Sequence, residues 1–133
     1  MPNASFVALL TGLTLALLPN LASADCSDPQ TTHAMRSCAA QDYERADAAL
    51  NAAYKAAQRS MKQLDQDLPD DLKGASKALL QAQRAWISYR DAACAAEGFQ
   101  FRGGSFEPLM ILICKTELTE QRSDQLLQLI EPN

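Results

Sequence analysis

One histidine, one tryptophan and no short Cys-x-x-Cys pair stand in this chain of 133 residues. Each shortage narrows the chemistry. With His33 alone, and cysteines spaced at 26, 38, 94 and 114, there is no ligand set at zinc spacing. The carboxylates form no identifiable pair on a concave element, and no catalytic set emerges. The stretch Arg102-Gly103-Gly104-Ser105 follows no strand, so it is not a phosphate-cradling loop. No strand pattern, internal repeat or low-complexity linker is present. The expectation is a non-enzyme without metal or cofactor. The formal net charge of −4 argues against nucleic acid and anionic membranes as partners.

Residues 6–18 carry no charge and lead to Ala22-Ser23-Ala24, the pattern of a secretory signal peptide and its cleavage site, although no Lys or Arg precedes the apolar run. The alternative is a buried N-terminal helix. The run is too short to span a bilayer, so no membrane insertion is expected. Lipid attachment at Cys26 would need a small residue before it, and Asp25 stands there. Residues 1–24 are therefore expected as a signal peptide, and residues 25–133 as one freely exported domain, periplasmic or secreted. Four cysteines in a small exported domain imply two disulfides.

What is present is helical periodicity. Thr31 or Thr32 is placed to cap a first helix. Its seam runs through Met35, Ala39, Tyr43, Ala46, Leu50, Ala53, Ala57, Met61, Leu64 and Leu68, at steps of three and four. Pro69 ends it, and Asp70 or Asp71 offers a cap for a second helix running from about Asp71 to Ala96. There Leu72, Ala75, Leu79, Ala82, Trp86, Tyr89, Ala93 and Ala96 form an a/d seam with Trp86 as its largest knob. A glycine-rich loop follows. Ser105 is placed to cap a third helix, whose seam is Leu109, Leu112, Thr116, Thr119, Ser123, Leu126 and Ile130. The polar middle of that seam predicts a kink or shallower packing. The fold class is all-α: a three-helix antiparallel bundle with two disulfides.

The turn near residues 68 and 69 sets a register in which facing residue numbers sum to about 137. Asp47 then meets Arg90, Asn51 meets Trp86 and Tyr54 meets Gln83. An Asp47–Arg90 ion pair at the core edge is expected as a register device. In the same register Cys38 lies about 7 Å along the axis from Cys94, awkward for a bridge. Local pairs fit better: Cys26–Cys38 pins the lead-in, and Cys94–Cys114 closes the glycine loop. The set Cys38–Cys94 with Cys26–Cys114 stays open.

The loop itself, Gly98 to Phe106, carries three phenylalanines and one arginine. Held by a bridge, it is a displayed element on a rigid scaffold. Phe99, Phe101, Arg102, Gly103, Gly104 and Ser105 are the candidate partner-binding residues. The competing reading has the phenylalanines capping the bundle end.

Residues 38–54, residues 82–94 (which include Gln83, Trp86, Tyr89 and Arg90), Gly103 to Ser105, and Cys114 with Leu118, Thr119 and Arg122 together resemble the LprI-type lysozyme-inhibitor domain. The likeness covers nearly all of the expected mature chain. It implies a small exported helical domain, with lysozyme inhibition attached to the namesake. That namesake is a lipoprotein, and anchoring does not carry over past Asp25. The resemblance transfers no catalytic residues. Two functions follow as expectations. One is a periplasmic protein that binds and occludes a cationic, muramidase-type hydrolase. The other is an envelope structural or stress-associated module that binds another envelope protein or peptidoglycan.

Overall fold

The computed structural model describes residues 26–131; the expected signal peptide and its cleavage site lie outside them. Thr31 opens the first helix, its Oγ1 accepting from the Ala34 N–H at 3.1 Å. Helix α1 (Thr32–Asp67) is 36 residues long, roughly 54 Å at helical rise. Of its buried positions, Ala39, Ala46, Leu50, Ala53 and Ala57 lie on the expected seam, and Cys38 lies beside it. His33 falls in its first turn. Leu68 is extended, as a residue before proline must be, and the helix stops there.

The second helix starts later than its sequence indicates. Asp70–Leu72 form a 3-10 turn, and α2 (Ala75–Gly98) begins only after Gly74. Neither Asp70 nor Asp71 caps it. Asp65 of α1 does so from across the turn, accepting from the N–H groups of Gly74 and Ala75 at 2.8 Å and of Ser76 at 2.9 Å. Three otherwise unpaired donors at a helix start thus meet one carboxylate. These hydrogen bonds, from Gly74 and Ser76 foremost, hold the Asp65 carboxyl far below the usual carboxylate range.

The buried face of α2 is Leu79, Gln83, Arg90, Cys94 and Gly98. Leu79 lies on the expected seam and Trp86 still packs half-buried on the core, but Gln83, Arg90 and Cys94 are each one residue round from it, a rotation of about 100°. Ala82 and Ala96 are exposed, as is Tyr89 at 61%. Leu72 lies outside the helix and is exposed. The inward face is part polar because Gln83 and Arg90 find hydrogen-bond partners on α3.

Helix α3 (Glu107–Gln128) buries Leu109, Cys114, Thr119, Ser123 and Leu126. Its polar middle does not thin the packing, since Thr119 is fully buried. Ser123 Oγ donates to the Thr119 carbonyl and Thr116 Oγ1 to the Leu112 carbonyl, so these hydroxyls are satisfied within the helix. The chain runs up, down and up, with α3 packed most extensively along α1. The central cluster joins Leu50, Ala53 and Ala57 to Leu79 and Leu126, with Tyr54, Met61, Trp86 and Ile130 packed against it. The disulfides are Cys26–Cys38 and Cys94–Cys114. No described helix is long and apolar enough to cross a membrane.

Candidate functional site

Two groups of sequence-marked residues come together, one inside the bundle and one at its end. Inside, the Arg90 side chain is only 8% exposed. Its Nε and Nη2 both lie 3.0 Å from Asp91 Oδ1, and its Nη1 lies 3.9 Å from Asp47 Oδ1. Nη1 also donates to Thr119 Oγ1 at 3.5 Å. The guanidinium carbon sits 5.1 Å from the Trp86 ring and 5.5 Å from the Tyr43 ring, both within cation–π range. Asp91 takes a second cation, Lys115, at 3.1 Å. Burial raises the Asp91 pKa, but the hydrogen bonds from Arg90 and Lys115 outweigh it and leave it below its ordinary value. All three helices meet at this cluster, which makes it a packing node.

The expected Asp47–Arg90 contact is there, as the long outer arm of a pair dominated by Asp91. Asn51 donates to its neighbour Asp47 at 2.9 Å, one turn away on α1. The Gln83 side chain turns to α3, its Oε1 accepting from Arg122 Nε at 3.1 Å. Tyr89 belongs to no cluster and faces outward. The sequence does not point to Asp91, because neighbours in a helix ordinarily diverge, nor to Lys115, which reaches it from α3.

At the end of the bundle the Cys94–Cys114 bridge clamps α2 to α3 below the loop. Gly98 closes α2 against α3: a Cβ there would stand 2.6 Å from Ile111 Cγ1. A 3-10 turn at Phe99–Phe101 follows. Gly103 then takes φ 78°, left-handed backbone that suits glycine. Its N–H donates to Glu107 Oε2 at 2.8 Å, while Arg102 Nη1 lies 2.7 Å from Glu107 Oε1. Gly104 N–H donates to the Phe101 carbonyl at 2.9 Å. The Gly103 hydrogen bond, then Arg102, lowers the Glu107 pKa. Ser105 does not cap α3. Phe106 occupies the cap position without a side-chain bond, and the Glu107 carboxylate ties the preceding loop to the first turn, where Pro108 also sits.

The phenylalanines do not close over the bundle. Phe99 is 62% exposed, and Phe106 and Phe101 are exposed as well. The Arg102 guanidinium lies 4.8 Å from the Phe99 ring. The result is a short knob, fixed from within by hydrogen bonds and a disulfide, with aromatic surface outward. Along its flank, shallow grooves between α1 and α3 have alanine floors, among them Ala49, Ala52 and Ala56, and carboxylate rims at Asp42, Glu117, Glu120 and Asp124. Among the described residues, no group of three His, Cys, Asp or Glu side chains is placed to hold a metal ion.

The family model described as lysozyme inhibitor LprI matches residues 22–126. An uncharacterized protein of Rhizobium meliloti (strain 1021) is 43% identical over 110 residues, covering 80% of this chain and 79% of the relative. No solved structure matches.

Proposed function

The chain belongs to the lysozyme inhibitor LprI family, and we propose that it binds a muramidase-type cell-wall hydrolase and occludes its cleft with the loop between α2 and α3. The observation that carries this reading is the exposed Phe99–Phe101 turn, stapled at its base by Cys94–Cys114. An inhibitor needs a projecting element that loses little freedom on binding. Here the disulfide, the Arg102–Glu107 pair and the Gly103 hydrogen bond remove that freedom beforehand. Exposed rings beside a guanidinium match the residue types that anchor interfaces and stack on sugar-binding surfaces. Arg102 stays 66% exposed despite its pairing, so it is free to add a carboxylate of the cleft to the one it holds.

The chain's charge of −4 and the carboxylate-rimmed α1/α3 grooves favour encounter with a cationic hydrolase. Export follows in this reading, with residues 1–24 removed as a signal peptide and both bridges formed in an oxidising compartment. The test is a cell-wall lysis assay in which purified protein is titrated against lysozymes of several classes. Dose-dependent inhibition of at least one is expected at micromolar protein. Inhibition of none, with the protein folded, would overturn the assignment in favour of an envelope interaction module.

A further inference from the structure

At the end of the bundle away from the loop, the three helices leave an open, largely apolar pocket. Met61, Ala78, Leu79, Ala82 and Leu129 line it, and Arg122 stands on its wall. The Arg122 guanidinium is positioned by two neutral acceptors. Nε donates to Gln83 Oε1 and Nη1 to Gln125 Oε1, each at 3.1 Å. Among the described residues no Asp or Glu lies within ion-pairing distance of it. Arg45, Arg90 and Arg102 each hold a carboxylate, and Arg36, Arg59 and Arg84, which hold none among the described residues, are exposed to water, whereas Arg122 is half-buried. Of the carboxylates at this end, Asp65 directs both its oxygens to the backbone of α2, Asp67 accepts from Gln63 and Asp70 pairs with Lys73. Burial lowers the Arg122 pKa, the mark of a cation drawn from water without a counter-charge.

A part-buried, unpaired guanidinium over an apolar floor is half of a recognition site. Among the described residues two of its five N–H donors are used, and the rest keep the fork geometry that suits a carboxylate. The site holds one cation and aliphatic lining, so it favours a single negative charge. A dianion would leave one charge uncompensated against apolar walls. We propose that this pocket binds an amphiphilic monocarboxylate, its carboxylate on Arg122 and its alkyl chain over Met61, Leu79 and Leu129. The proposal is independent of hydrolase inhibition, and its site lies at the other end of the molecule.

The test is titration of the purified protein with sodium octanoate, followed by calorimetry and by amide NMR shifts of residues around Arg122. Octyltrimethylammonium, with the same chain and the opposite charge, is the control. Saturable one-to-one octanoate binding is expected, with the cationic probe at least about tenfold weaker. Gln83→Glu gives Arg122 an internal carboxylate at the position that already accepts from it. That variant should stay folded and bind octanoate at least about tenfold less tightly. Ala82→Phe, made from an exposed rim position, should fill the pocket and abolish binding. Equal binding of both probes, no saturable binding at millimolar octanoate, or undiminished binding by folded Gln83→Glu would each overturn the proposal.

Discussion

Arg90 lies 3.9 Å from Asp47 across the first helix hairpin, yet its closest carboxylate is its own neighbour Asp91, at 3.0 Å. The order of those distances sets the energetics. Removing Arg90 leaves Asp91 with Lys115 alone, takes the cation from the Tyr43 and Trp86 rings, and leaves Thr119 without its guanidinium donor. Arg90→Ala should therefore lower stability by about 3 kcal/mol in urea unfolding. Asp47 is 42% exposed, and Asp47→Ala should change stability by about 1 kcal/mol or less. In double-mutant cycles the Arg90–Asp91 coupling should exceed the Arg90–Asp47 coupling. The reverse order would mean that the hairpin pair is the true register contact.

Asp65 makes the α1–α2 turn sensitive to acid. Its folded pKa is depressed, so its stabilising contribution is fully present above the ordinary carboxylate pKa of about 4 and fades as pH falls below it. Asp65→Ala should melt several degrees below wild type at neutral pH. The gap should hold constant down to about pH 5 and then close progressively toward pH 2. A gap that does not change with pH would show that the carboxylate charge plays no part in capping α2.

Gly98 is required by proximity rather than by backbone angle, since its φ is an ordinary helical −60°. Gly98→Ala gains helix propensity, worth up to about 1 kcal/mol at an open site. Here the new methyl meets the Ile111 side chain, and the net effect should be a loss of about 1 to 3 kcal/mol. Ile111→Ala in the same chain removes the clashing atoms and should recover part of that loss. A stabilising Gly98→Ala would mean that α2 and α3 leave room for a methyl group at this crossing.

Much of this architecture can be read from the sequence. Steps of three and four locate α1 and α3, and the turn at Pro69 gives the register that brings Asp47 toward Arg90. The spacing argument favours the two local disulfides over the crossed set. The inward face of α2 is harder to read, because the periodicity of apolar residues assumes that what is buried is apolar. Gln83 and Arg90 are buried because α3 offers Arg122 and Thr119, partners more than twenty residues away in sequence. Tyr89, exposed beside them, draws the apolar count to the wrong face. The Asp65 cap escapes for a similar reason: it acts across a turn, outside the local window in which caps are sought.

In the loop, the sequence leaves open whether the phenylalanines point in or out, since composition carries no direction. Their exposure, with Arg102 held over Phe99, makes them the surface on which inhibition should depend. The most direct measurement compares wild type with the Phe99→Ala, Phe101→Ala double variant in the lysis assay, against a lysozyme the wild type inhibits, alongside thermal melts of both proteins. The double variant should inhibit at least about tenfold more weakly, with a melting temperature within a few degrees of wild type. A variant that melts much earlier yet inhibits undiminished below its melting point would contradict this expectation. The rings would then serve the bundle, and the inhibitory surface would lie elsewhere on the helices.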